Sequence, residues 1–196
     1  MKSIYILLTR SKTAVSKMIY QVTQDAYTHV SISFEPSLQP MYSFARKYNY
    51  TPLPAGLKDE DLDNGFYKRF ENIPCALYEL NVDEDVYEKA KAHVESMKLQ
   101  MDEYRFSLFG LVMCKFNIPY ERENYYFCSQ FVGEILASCG ALDLPKPPTL
   151  MRPADYMEFS ELKCIFEGDV KRLRTEYRKV EDKDEPSSIL NFLRMR

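Results

Sequence analysis

Residues 28–35 read Thr28-His29-Val30-Ser31-Ile32-Ser33-Phe34-Glu35, and their alternation governs the reading of everything around them. In an extended chain Val30, Ile32 and Phe34 fall on one side, and His29, Ser31, Ser33 and Glu35 on the other. This is a strand with one face for a core and one polar face. Pro36 to Pro40 reads as a turn and Met41 to Arg46 as the returning strand, so the pair predicts a hairpin. Upstream, Ser3 to Thr9 is rich in β-branched and aromatic residues and predicts a buried strand, after which Ser11 caps a helix running to Val22. Downstream, Cys75 to Val82 predicts another strand. Asp83 caps the helix that follows it, with Val86, Ala90, Val94, Met97 and Met101 as its apolar stripe.

Tyr104 to Phe116 is apolar and predicts a second, buried helix, followed by a loop over 117–124. A further helix starts near Cys128 and runs to Ser138, with Gly140 where a C-terminal cap belongs. Arg152 to Asp155 opens a short helix, and Cys164 to Val170 and Arg172 to Tyr177 read as strands. Strands and helices come in clusters rather than in strict alternation, which predicts the α+β class. Residues 47–74 have little periodicity and carry tyrosines, prolines and an acidic run from Asp59 to Asp63. They read as a long surface excursion, a candidate cover over a site. The expected organisation is a single domain over 1–178 and a charged C-terminal tail over 179–196.

Composition narrows the function. The chain has 196 residues, 45% hydrophobic and 28% charged, with a net charge of −3. These values exclude a disordered chain and argue against nucleic acid as a partner. No stretch approaches the ~20 apolar residues of a membrane-crossing helix. The apolar run Ile4 to Leu8 is broken at once by Thr9-Arg10-Ser11-Lys12, unlike the core of a secretion signal. The expected location is therefore the cytoplasm. Five cysteines occur without a CxxC pair and with only two histidines to help them, a poor supply for zinc. Neither a metal nor a cofactor is expected.

The chemistry rests on two residues. Cys128 shares a helix face with Val132, Ile135 and Cys139, so its thiol points inward from the first turn. Free backbone N–H groups and the helix dipole favour an anion there, and a thiolate is the nucleophilic form of cysteine. A buried cysteine is more often inert packing, so position alone does not establish catalysis. His29 stands on the polar face of its strand beside Ser31 and Ser33, a rigid mount for a general base that titrates near neutrality. His93, in mid-helix, reads as a boundary residue without a role.

THVSISFE, YSFARK and YYFCSQFVGEIL together resemble the permuted branch of the NlpC/P60 papain-like superfamily, which includes YiiX-like amidases and, more distantly, lecithin:retinol acyltransferase-like proteins. His29-Val30-Ser31-Ile32 and Cys128-Ser129-Gln130-Phe131-Val132 match position by position. The order is histidine first and cysteine last, the reverse of papain. The resemblance implies a circularly permuted papain-like fold, an antiparallel sheet packed on helices with the cysteine at a helix N-terminus. It implies Cys128 as nucleophile, His29 as base and the Cys128 backbone N–H as an oxyanion donor. Relatives often carry Glu as the third, orienting residue, and the matching position here is Ser43. Ser31 and Glu35 are the alternatives for that role. Tyr126, Ser31 and Tyr42 are candidate substrate contacts. The activity implied is hydrolysis of an amide or ester in a small-molecule, peptide or acyl-lipid substrate through a thioester. Acyl transfer on the same dyad, or a binding module that has kept the cleft and lost the chemistry, are the other readings.

Overall fold

The computed structural model describes residues 1–10, 25–47, 54–70 and 72–181. The helix expected over 11–22 and the chain beyond 181 lie outside the described residues. Strands β1 (Lys2–Thr9), β2 (His29–Ser33), β3 (Met41–Arg46), β4 (Ala55–Glu60), β5 (Pro74–Val82) and β8 (Leu162–Asp169) form one sheet in the order β4-β3-β2-β1-β5-β8. Every neighbouring pair is antiparallel. The short strands β6 (Arg105–Phe106) and β7 (Tyr125–Tyr126) pair with each other in parallel. Helices α1 (Gly65–Arg69), α2 (Glu84–Leu99), α3 (Leu108–Lys115), α4 (Cys128–Ser138) and α5 (Val170–Glu181) complete the fold, with two 3-10 turns at Pro148–Leu150 and Pro153–Glu158. The class is α+β, a six-stranded antiparallel sheet with helices.

The sheet is covered on both faces. Ile4, Ile6, Leu8, Val30, Ile32, Phe34, Tyr42 and Phe44 pack with α2 through Tyr87, Ala90, Val94 and Met97, and with α4 through Phe131, Val132, Ile135 and Leu136. On the other face Tyr5, Leu7, Met41, Cys75 and Leu77 pack with Tyr67 of α1 and with Val170 and Leu173 of α5. Fully burying one such aliphatic side chain contributes ~1.5–3 kcal/mol, so each face has ample drive to hold its helices. The alternation in residues 28–35 is thus real, but its second face is not solvent. Ser31 and Ser33 are 0% and 1% exposed.

Three expectations are corrected. Residues 47–74 are not one irregular excursion: Ala55–Glu60 extends the sheet beyond β3, and Gly65–Arg69 is a helix on the far face from α4. The stretch from Tyr104 to Phe116 is not one buried helix. It begins as β6, and the helix starts only at Leu108, where the Ser107 hydroxyl accepts from the Gly110 N–H at 3.1 Å. Leu108, Phe109 and Val112 are exposed, at 41%, 57% and 45%. Arg172 to Tyr177 is helix, not strand: the Asp169 carboxylate accepts from the Arg172 N–H, and Arg172 pairs with Glu176 one turn later.

β4 is held close to the chain leading into β6. A Cβ added to Gly56 would lie 2.6 Å from the Tyr104 carbonyl oxygen, a backbone atom with little room to retreat. Gly56→Ala is therefore expected to cost about 1–3 kcal/mol, as overpacking does. A urea titration checks this, and an unchanged midpoint would mean that β4 slides freely.

Candidate active site

Cys128 is the first residue of α4, and Phe127 before it is extended, with φ −110° and ψ 167°. No side chain caps this helix start, and the first intrahelical bond runs from the Phe131 N–H to the Phe127 carbonyl at 3.0 Å. The thiol, 6% exposed, sits at the positive end of the helix dipole. The first turn is anchored by Ser129, whose hydroxyl donates to the Met151 carbonyl at 2.7 Å, and by Tyr156, which donates to the Ser129 carbonyl at 2.7 Å. Both bonds fix the position of the helix end.

His29 is the first residue of β2, paired with the last residue of β1, Thr9. The Cys128 thiol lies near enough to its imidazole to raise its basicity. Its Nε2 lies 3.0 Å from Oε2 of Glu60, and the two side chains are 20% and 7% exposed. Glu60 is the last residue of β4 and pairs with Met41, which pairs in turn with Ser33 of β2. Cross-strand partners share a face, so this register sets Glu60 on the face of His29, Ser31 and Ser43. Two hydroxyls reach the same oxygen: Ser31 donates to Oε2 at 2.6 Å and Ser43 at 2.7 Å.

The electrostatics follow from this packing. Burial works against the charge of each partner. For His29, the Glu60 carboxylate, which accepts from the ring, and the neighbouring Cys128 thiol outweigh burial and raise the imidazole well above its usual value. For Glu60, the His29 charge and the bonds from His29, Ser31 and Ser43 outweigh burial and hold the carboxyl below its usual range. At neutral pH the pair is imidazolium and carboxylate. The other four thiols, Cys75, Cys114, Cys139 and Cys164, are all pushed up by burial and stay protonated at neutral pH.

The sequence-derived candidates separate into two groups. Cys128, His29, Ser31 and Ser43 come together. Ser43, expected on the imidazole, instead donates to Glu60, because its strand position aims it at the neighbouring strand's carboxylate. Ser31 is 3.4 Å from His29 Nε2 and closer to Glu60. Glu35, the other alternative for the third role, is engaged by Lys91 at 3.3 Å. Tyr126 packs its ring on Phe44 and Tyr104, two residues before the thiol. Tyr42 packs against Phe34 with the Lys98 ammonium over its ring, in the core under α2. His93 reaches the Ser138 hydroxyl at 3.0 Å and ties α2 to α4.

Sequence reasoning missed Glu60. It lies in the acidic run that read as part of a surface excursion, and the alternation of Ala55 and Leu57 points to the other face of β4, so no local signal marked it. Among the described residues no group of three or more His, Cys, Asp or Glu is placed to hold a metal ion. No helix among them is long and apolar enough to cross a membrane. The chain matches no protein-family model and no curated protein.

Proposed function

We propose that the protein is a cysteine hydrolase of the permuted papain-like kind, cleaving an amide or ester through a thioester on Cys128. The observation that carries this reading is an imidazole held 3.0 Å from a buried carboxylate, with the thiol at the start of α4 near enough to act on it. An imidazolium beside a thiol at a helix N-terminus favours the thiolate. Glu60, rather than Ser43, orients the ring and keeps it charged, the task of the third member of a catalytic triad.

In the proposed reaction the Cys128 thiolate attacks the substrate carbonyl carbon, and the oxygen becomes an oxyanion facing the first N–H groups of α4. The C–S bond forms as the carbonyl π bond opens. Collapse of that intermediate breaks the bond to the amine or alcohol, which leaves with a proton from His29. Nε2 is held by Glu60, so Nδ1 is the nitrogen that serves Cys128 and the leaving group. Water then attacks the thioester, His29 takes its proton, and the acid and free thiol are released.

The test is alkylation and acylation of each thiol, read by peptide mass. At pH 6 iodoacetamide is expected to modify Cys128 at least about tenfold faster than the exposed Cys164, since reactivity follows the thiolate fraction. A p-nitrophenyl ester is expected to leave an acyl mass on Cys128 alone, and His29→Ala to lower ester turnover by about 100-fold or more. Equal labelling of Cys128 and Cys164, unchanged by His29→Ala, would end this reading.

A further inference from the structure

Most half-buried cations of this chain are paired. Lys47, Lys91, Lys98, Lys146, Arg152 and Arg174 each lie 2.6–3.8 Å from a carboxylate. Two neighbours at the edge of the sheet are exceptions. Arg46, the last residue of β3, and Lys58, within β4, are half-buried and have no carboxylate partner among the described residues. The Arg46 guanidinium lies 5.0 Å from the centre of the Phe66 ring of α1, so the ring takes one of its faces and leaves its N–H edge open. The Lys58 ammonium donates to the Arg46 carbonyl at 3.3 Å and keeps two further N–H groups. Phe66 packs in turn on Phe70, which is 43% exposed, so this corner opens to solvent. Long cationic side chains often bury their stems and leave the head in water. Here two such heads meet at one corner without a counter-charge, and like charges side by side favour an anion between them. Burial also works against the Arg46 charge, and the Glu60 carboxylate offsets this only in part.

We propose that Arg46 and Lys58 form an oxyanion-binding site at the β3–β4 edge, taking the carboxylate or phosphate group of a small ligand. The open edge of Arg46 grips two oxygens in fork geometry, and the Lys58 ammonium meets the same group as a point charge. The Phe66 ring fixes the plane of the fork. The neighbouring charges are already engaged: Lys47 by Asp102, Asp59 by Lys98 and Glu60 by His29. The site goes beyond the hydrolase reading and does not rest on it. It does adjoin the strand that carries the carboxylate. Lys58 and Glu60 are two residues apart on one face of β4, and Ser43, which pairs with Lys58 in register, donates to Glu60 at 2.7 Å. A bound oxyanion would join β3 to β4 through Arg46 and Lys58.

Inorganic phosphate and glutarate are the probes, each titrated at an ionic strength held constant with chloride. Protein carrying 15N-arginine is followed by NMR through the Arg46 Nε–H signal, assigned with Arg46→Lys. A saturable shift is expected, with a dissociation constant of about 1 mM or tighter for the anion that fits. Saturation by phosphate alone assigns a phosphate ligand, by glutarate alone a carboxylate, and by both the chemistry they share. The melting temperature of the parent is expected to rise with the same anion, by linkage. Arg46→Gln is expected to abolish that rise. Lys58→Gln is expected to weaken binding at least about tenfold, the worth of a charge-assisted hydrogen bond. Arg46→Lys keeps the charge without the fork and is expected to bind more weakly than the parent. Arg122→Gln removes an exposed cation elsewhere and is expected to change nothing. No saturable shift with either probe would overturn the proposal, and so would equal stabilisation of the parent and Arg46→Gln. Lys58→Gln and Arg46→Lys decide the matter where Arg46→Gln fails to fold. None of these readouts depends on catalysis. Failure of the hydrolase reading would instead appear as ordinary Cys128 alkylation in the parent.

Discussion

Glu60→Ala is expected to lower stability by about 3 kcal/mol and to remove the Cys128 reactivity that the hydrolase reading expects. Removing one partner of a buried pair costs ~3–5 kcal/mol, because the other charge is left uncompensated. His29 retains some exposure, at 20% of its side chain, and can shed its proton, which places the loss at the lower end of that range. Ser31 and Ser43, nearly or fully buried, lose the acceptor for their hydroxyl protons as well. For a chain of this length each kcal/mol corresponds to ~2–4 °C, so a melting point lower by roughly 6–12 °C is expected. The second effect is chemical. Without the carboxylate only Cys128 is left to oppose burial, so the imidazole shifts toward its neutral form and the cation that the proposed chemistry needs is lost. Alkylation of Cys128 at pH 6 should fall to the rate of Cys164 in refolded Glu60→Ala. Retained fast alkylation would show that the helix start activates the thiol without the carboxylate.

Stability is expected to pass through a plateau between about pH 4.5 and 6.5 and to decline on both sides, each arm tied to one partner. His29 is raised to about 10 in the folded chain. Between its unfolded value near ~6.5 and that point the folded state binds the extra proton, so stability is fully present below ~6.5 and drains away as the pH climbs. Glu60 is lowered to about 2. There the unfolded state binds the extra proton, so its contribution is complete above the unfolded value near ~4.3 and is lost as the pH falls. Urea midpoints measured from pH 3 to 10 should trace this shape. Glu60→Gln should flatten the alkaline arm, since a neutral amide cannot hold the imidazolium. An alkaline arm that persists in Glu60→Gln would assign it to other groups.

Much of the fold was legible because its elements carry strong periodic signals. The alternation in 28–35, the apolar run of β1 and the stripe along α2 each name one element type. α4 was legible from its inward face, Cys128, Val132, Ile135 and Cys139, and from Gly140 just past its end at φ 75°. β4 was not legible. Its sequence Ala-Gly-Leu-Lys-Asp-Glu has poor strand propensity and lies beside an acidic loop, and only pairing with β3 makes it a strand. Glu60 was hidden for the same reason. Its neighbours Asp59 and Asp61 point outward to Lys98 and to the turn at Asp63, and register alone turns Glu60 inward. α5 was misread because Arg172-Leu173-Arg174 alternates like a strand over a short window, while its helical pairing, Arg172 with Glu176, spans one turn. The candidate pair, Cys128 and His29, could be named from residue types and the resemblance. The identity of its carboxylate is a property of strand order.

β4 closes the sheet, and its ladder among the described residues runs to β3 alone. An end strand of this kind frays by local opening, at less free energy than the molecule needs to unfold as a whole. Glu60 moves with that strand, whereas His29 and Cys128 sit on inner elements. The oriented and unoriented forms of the imidazole are therefore separated by the opening energy of one strand rather than by the stability of the domain. Warmth or mild denaturant would therefore part Glu60 from His29 while the rest of the sheet stays paired.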